Sequence, residues 1–468
     1  MPDLERPTAI RDAASFRDPS GFVFRRGNQL FRQVHEHHSP DWQAFVSSGL
    51  YDQLVERHRL VRHNEVSSEF AFDERAWRVL EVEEVPFVSY PYEWTFGQLK
   101  DAALLTLDVQ AAAVAAGMTL KDASAYNVLF DGVRPVLIDG LSFERRAEDE
   151  PWIAYRQFCQ HFLAPLALMS GRDVRAGLLL RDFIDGIPLD LAAGLLPAGS
   201  RFRLGLATHL HLHARAQRQR SSPAASQGGK SRLSRGRLEA LIDSLRSTIQ
   251  GLKWEPSGTQ WSDYGDTTSY SEQGAASKRA LVERFLRASE GEWVWDVGAN
   301  TGAFSRLAAD LGRKVVALDA DAAAAEQNYR SLRRDGAAGI LPLVMDLTNP
   351  SPALGWAHQE RRSLDERANA DVLLALALVH HLAIGNNVPF PQLSVFLARL
   401  GRQLIIEFVP KTDPRVVDML SNRRDVFPDY TLDGLKAAFE RDWRLLDEEP
   451  IEDSQRTLLR FVRTAQAA

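Results

Sequence analysis

Cysteine is almost missing from this chain. Cys159 is the only one, so no disulfide can form within the chain, and a reducing, cytoplasmic setting is the expectation. Long apolar runs are missing too. The longest strongly apolar stretch, VLLALALV at 372–379, is far too short to cross a bilayer, so no membrane span is expected. The opening residues, MPDLERPTAIRDAASF, mix both charge signs around no apolar centre, unlike a signal peptide. Nor is there an excess of positive charge. The net charge of −6 gives no global reason to expect a nucleic-acid partner. No internal repeat of fixed period is visible. Lysine is absent from the first 99 residues, and Lys100 is the first.

What is present is the composition of a globular protein, 45% hydrophobic and 25% charged. A chain of 468 residues exceeds one ordinary core, so two or three domains are expected. Residues 215–237, RAQRQRSSPAASQGGKSRLSRGR, hold seven basic residues and no acidic ones. That is loop composition, and it divides the chain into 1–214, a basic linker 215–237, and 238–468. The linker is either a solvated connector or a contact strip for a polyanion such as a phosphorylated glycan, nucleic acid or anionic lipid. LEALIDSLRSTIQGL (238–252) predicts a helix leading into the second domain.

That domain begins its chemistry at WVWDV (293–297), a buried-strand run followed by GANTG and a helix ending at Gly312. KVVALD (314–319) is a second such strand, ending in an acid. The pattern is a βαβ unit with a glycine loop at its first turn. Gly298 and Gly302 suit a tight turn against a ligand, and Asn300 tolerates a left-handed conformation there. A dinucleotide fold wants Gly-x-Gly-x-x-Gly for a pyrophosphate. Here Asp296 stands two residues before the first glycine, where it would repel phosphate and suit a cation. Asp319 can accept both hydroxyls of a ribose, at about 1.5–3 kcal/mol per charged hydrogen bond. A nucleotide-binding oxidoreductase is the alternative on these residues alone.

DVGANTG, ALDAD and VMDL (344–347) resemble the ordered motifs of class I S-adenosylmethionine-dependent methyltransferases. The resemblance implies a Rossmann-like α/β domain with a mostly parallel seven-stranded sheet and S-adenosylmethionine as cofactor. Asp296, Gly298, Asn300 and Gly302 would hold the methionine end. Asp319, with Ala320 beside it, would hold the ribose; Asp346 would reach the adenine amino group, with Leu347 packed nearby. ADVLLALALVHHL (370–382) supplies a fourth strand, ending in His380 and His381, and GRQLIIEFVP (401–410) a fifth, carrying Glu407. These three fall at the carboxyl ends of the strands, where such sheets bind ligands. A histidine near its ordinary pKa can take the proton lost when oxygen or nitrogen is methylated. His380, His381 and Glu407 are therefore the catalytic candidates, for proton transfer or for orienting the acceptor. Adjacent histidines point apart, so no metal site is expected from them. The same holds for HEHH (35–38) and HLHLH (209–213), which lack a suitably spaced acid or thiol. WSDYGDTTSYSEQGAASKRALVERFL (261–286), GWAHQERRSLDER (355–367) and RRDVFPDY (423–430) extend the resemblance to a bacterial subfamily that includes the rhizobial host-specific nodulation type. It implies a small-molecule or glycan-type acceptor. Tyr264, Tyr270 and Lys278 lie where such enzymes carry a lid over the cofactor.

The first domain has a different grammar. FGQLKDAALLTLDVQAAAVAAG (96–117) predicts a helix, apolar on one face and stopped by Gly117. MTLKDASAYNVLF and RPVLIDG follow as loop, strand and strand. LKDASAYNVLFDGVRPVLIDG (120–140) resembles the catalytic segment of protein-kinase-like and aminoglycoside-kinase-like folds, which implies an α+β domain. In that family Asp122 would receive the hydroxyl proton, and Asn127 and Asp139 would hold magnesium against ATP. Leu120 stands where the family has histidine, no glycine-rich loop precedes it, and no early strand carries a lysine. Arg32 is a substitute of different geometry. Three readings stand: a pseudokinase-like recognition domain, an atypical kinase that phosphorylates a glycan for the methyltransferase to cap, or a chance likeness. Sequence leaves the oligomeric state open.

Overall fold

The computed structural model describes residues 8–215, 233–256, 270–421 and 424–464. Most of the basic segment 215–237, Tyr264 and Arg423 lie outside them. The chain forms two compact units. One holds residues 1–254 with Ala353–Arg362, the other 255–352 with 363–468.

The first unit is α+β. Its sheet has the order β1-β2-β3-β5-β4 and is antiparallel throughout. The strands are β1 (Ala9–Arg11), β2 (Gly21–Arg26), β3 (Gln29–His35), β4 (His63–Val66) and β5 (Ala76–Val82). Phe22, Phe24, Phe31 and Val79 form the apolar cluster beneath it. The helix Phe96–Ala115 opens on a reciprocal cap between Thr95 and Gln98 and stops at Gly117, whose φ is +75°. It is buried nearly all round rather than along one face, because it is the core helix of the unit. Its polar side chains are satisfied inside: Gln110 donates to Thr119 at 3.0 Å and accepts from the Leu120 N–H at 2.8 Å. Beyond it come β6 (Met118–Leu120), the hairpin β7 (Val128–Asp131)–β8 (Arg134–Leu137), and β9 (Phe143–Arg145), which pairs with β6.

Two further pieces complete this unit, and neither was assigned to it by composition. The helix Arg235–Gly251 was expected to lead into the second domain, but it packs on Phe96–Ala115. It buries Leu238, Ile242, Leu245 and Ile249. Lys100 donates to the carbonyls of Gln250 and Leu252 at 2.9 and 2.7 Å, capping the far end of that helix, and Arg246 pairs with Asp108. The other piece is Ala353–Arg362. Its Glu360 is buried and takes a two-pronged bond from Arg17, at 3.0 and 2.7 Å. The Arg361 guanidinium lies 4.1 Å from the Tyr126 ring centre, and the Arg362 N–H donates to the Tyr90 hydroxyl at 2.8 Å.

The second unit is one seven-stranded sheet with helices between its strands. The strands are β10 (Trp293–Val297), β11 (Lys314–Asp319), β12 (Ile340–Val344), β13 (Ala370–Ala375), β14 (Gly401–Phe408), β15 (Trp443–Pro450) and β16 (Thr457–Arg463). Their order is β12-β11-β10-β13-β14-β16-β15. The first five are mutually parallel, and β16 runs antiparallel to both its neighbours. Near-continuous burial along β10, β11, β13 and β14 explains their uniformly apolar sequences. The chain winds outward in one direction from β10 to β12 and in the other from β13 onward. The switch point therefore lies at the carboxyl ends of β10 and β13, where such sheets bind ligands.

Candidate cofactor and acceptor site

Asp296 and the loop after it occupy that switch point. Gly298, Asn300 and Gly302 all have positive φ, +82°, +49° and +83°. Gly302 has a second reason to be glycine: a Cβ there would sit 2.4 Å from the Asn328 amide oxygen. The loop is tied to the next strand, since the N–H groups of Gly298 and Ala299 donate to the Leu318 carbonyl at 2.8 and 3.0 Å. The left-handed turn at Asn300 turns its N–H onto Asp319, at 2.7 Å, while the Asp321 N–H holds the other oxygen at 2.8 Å. Asp296 is fully buried and accepts from the Ser305 hydroxyl at 2.6 Å. Burial pushes both carboxyls up to about 6; the Asp319 charge adds to this at Asp296, and the Ser305 bond opposes it.

The other cofactor candidates stand at the same edge. The Met345 N–H donates to the Asp319 carbonyl at 2.7 Å, which brings Asp346 beside the end of β11. Asp346 is exposed, and its carboxylate is fixed by the N–H and hydroxyl of Thr348 at 2.8 and 2.7 Å. Leu347 is half-buried and Ala320 exposed. Exposed side chains at this position are open to a ligand, and the buried Asp296 is the charged group beneath the loop.

The fourth strand does not run to the histidines as expected: β13 stops at Ala375, and His380 and His381 stand at the start of the next helical turn, with ring centres 4.0 Å apart. His380 is fully buried, and among the described residues neither ring nitrogen has a hydrogen-bond partner. The expectation of a histidine near its ordinary pKa does not hold. Burial, with His381 and Arg456 nearby, lowers His380 to about 3. Burial, with Arg415 and Arg456, lowers His381 to about 4. Both rings are neutral at physiological pH.

Glu407, from β14, is fully buried inside a network rather than bonded to either histidine. Lys278 contacts it at 2.6 Å and Arg456 at 3.0 Å, and the Tyr270 hydroxyl donates to it. Arg456 also holds Asp413 at 2.7 Å. Burial opposes the charge on Glu407, but the two cations prevail and hold it down to about 2. Lys278 also favours the ionised form of Asp296, which links this network to the cofactor edge.

In the first unit the three kinase-type residues stand close together. Asp139 is bonded by the Arg32 guanidinium, the Ser142 hydroxyl at 2.5 Å and the Leu141 N–H at 3.0 Å. Burial works against its charge, yet Arg32 keeps its pKa low. The Asn127 amide donates to that same Ser142 at 3.2 Å. Asp122 caps the Ser124 N–H at 2.9 Å, and burial raises its pKa. Both Asp139 oxygens, which a magnesium ion would need, are thus taken by internal donors, one of them a guanidinium. This donor set does not fit a magnesium–nucleotide site. Among the described residues no group of three or more His, Cys, Asp or Glu side chains is placed to hold a metal ion.

No protein-family model matches the chain. Nodulation protein NoeA of Rhizobium meliloti (strain 1021) is 35% identical to it over 467 residues, 98% of this chain and 97% of that protein. The chain belongs to the NoeA family. Solved structures give weaker likenesses. Magnesium protoporphyrin IX methyltransferase from Synechocystis, with bound S-adenosylmethionine, is 18% identical over 41% of this chain and 80% of its own, at a TM-score of 0.30. The N-methyltransferase NodS of Bradyrhizobium japonicum is 10% identical over 41% and 97%, at 0.31. The bifunctional kinase-methyltransferase WbdD is 15% identical over 46% and 45%, at 0.30. At TM-scores this low the methyltransferase-type fold of this NoeA relative rests on its own strand order. Sequence reasoning missed Ser305, Arg456 and Asp413. Ser305 stood in view, one turn into the helix after the glycine loop, where a hydroxyl faces back to the strand end. Arg456 gave no local signal, being 49 residues from Glu407.

Proposed function

We propose that the second unit is an S-adenosylmethionine-dependent methyltransferase acting on oxygen or nitrogen of a small-molecule or glycan-type acceptor. One observation carries this reading. Two carboxylates, Asp296 and Asp319, stand at adjacent strand ends of a switch-point sheet, joined by a left-handed glycine loop. A pyrophosphate would be repelled there, whereas an ammonium beside a sulfonium, followed by a ribose diol, would be held. When bound, the cofactor supplies an electrophilic methyl group. Asp296 and the loop hold its charged end, Asp319 its ribose hydroxyls, and Asp346 and Leu347 its base. His380 and His381, both neutral, orient the acceptor by hydrogen bonding and accept the proton it loses. The Glu407 network keeps Lys278 and Tyr270 fixed beside them. The relative's name connects it with nodulation, which supports an acceptor serving that process. The test is transfer of label from the cofactor's methyl group to a component of cell extract. Transfer that is lost in Asp319→Ala supports the reading, and NADH binding without S-adenosylhomocysteine binding would return it to an oxidoreductase.

The first unit, in this proposal, recognises or regulates rather than phosphorylates. Arg32 standing on Asp139 supports that. Its thermal midpoint should not move with ATP and magnesium. A stabilisation abolished by Asp139→Ala would restore the kinase reading.

A further inference from the structure

The acid-free basic stretch of the sequence begins well before residue 215, within the first unit. After the helix Leu189–Leu195 comes the turn Ala198–Phe202 and then Leu204–Leu206. The four residues RFRL (201–204) are all exposed. Phe202 is 92% exposed and Leu204 83%, and neighbouring elements add Leu212 at 54% and Leu195 at 44%. Scattered exposed apolar residues are ordinary, but a cluster of this kind marks an interaction face.

The tip is held in place from behind. Ser200 is buried and its hydroxyl meets His211 Nε2 at 2.8 Å, which ties the turn to the helical segment carrying Leu212. Gly205 packs directly on Thr248, where a Cβ would come within 2.0 Å of the hydroxyl oxygen. Arg75, Arg134 and Arg175 each pair with a nearby aspartate. Among the described residues no carboxylate pairs with Arg201 or Arg203. The whole sequence from Leu191 to Leu238 contains nine arginines and lysines and no Asp or Glu.

We propose that this face docks onto an anionic lipid surface. Phe202 and Leu204 enter the boundary between headgroups and acyl chains, and Arg201 and Arg203 meet the lipid phosphates. Alternation of apolar and cationic side chains at one tip fits an interface that is itself apolar below and anionic above. A nucleic acid would reward the arginines but offer nothing to Leu195, Leu204 and Leu212. No helix among the described residues is long and apolar enough to cross a membrane, so the mode is lying on the surface rather than spanning it.

The test uses the full chain sedimented with vesicles of phosphatidylcholine, alone or doped with phosphatidylglycerol. Binding is expected only to the doped vesicles and should weaken with added salt. Phe202→Ser with Leu204→Ser should weaken it at least ~10-fold, and Arg201→Gln with Arg203→Gln about 25-fold, roughly fivefold per arginine. Unfolding midpoints should not change, because all four side chains are exposed. Failure of the parent protein to sediment with doped vesicles would overturn the proposal. So would binding that ignores the Phe202 and Leu204 pair. Tighter binding to single-stranded RNA, lost only in the arginine pair, would make this a polyanion face and sink the lipid assignment.

Discussion

Asp319, His380 and Arg32 show how far single residues could be read from sequence. The position of Asp319 at a strand end was legible, because a buried strand followed by an acid is a local pattern. Its protonation was not legible, because that depends on burial contributed by distant parts of the unit. The histidines make the same point more sharply. Their nearness to the end of the fourth strand followed from sequence, although β13 stops at Ala375, while the nearby cations and the loss of water that lower their pKa values did not. A consequence can be measured. If His381 takes the acceptor's proton, the acid limb of the kcat profile will lie near 4 rather than near the ordinary histidine value of 6.5. Activity should then be flat from about pH 5.5 to 7.5 in this respect. A limb at 6.5 that disappears in His381→Ala would show an unperturbed imidazole and contradict the burial argument. At Arg32 the sequence showed a missing lysine and an arginine that could stand in for it. The structure shows what the arginine does, which is to neutralise Asp139.

Elements were legible where they carried their own signal. The strands β10, β11 and β14 lie within the short apolar runs read for them, while β13 fills only the first half of its run and stops at Ala375, short of the histidine pair. The helix Arg235–Gly251 was also found, but its neighbour was misassigned, since an amphipathic face does not say which unit it will cover. The segment Ala353–Arg362 was less legible still. Its sequence, between two strands of the second unit, gave no hint that Glu360 pairs with Arg17, 343 residues away. Glu360 is buried and fully bonded, to Arg17 and to the Trp356 N–H at 2.8 Å. Glu360→Ala should therefore destabilise the first unit by about 2–4 kcal/mol, tempered by the partial exposure of Arg17. Differential scanning calorimetry should show the loss in one transition. An unchanged thermogram would mean that the segment only rests on the unit.

At the scale of the whole molecule, the two units differ in what their acids are free to do. In the first unit Asp139 is closed off by Arg32, Ser142 and Leu141. In the second, the partners of Asp296 and Asp319 among the described residues are a hydroxyl and backbone N–H groups, none of them charged, which suits the proposed cation and diol. Chain order alone brought the motifs of the second unit to one sheet edge, which is why its candidate site was readable from sequence. The first unit is completed by a helix and a strap from far along the chain, and its closure was not readable. Titration calorimetry with S-adenosylhomocysteine on the full chain shows whether the carboxylate pair binds S-adenosylmethionine as proposed. Saturable binding is expected, weakened at least ~10-fold by Asp319→Ala, about 1.4 kcal/mol or more, as the loss of charged ribose hydrogen bonds requires. Absence of binding, or an affinity unchanged by Asp319→Ala, would contradict the proposal.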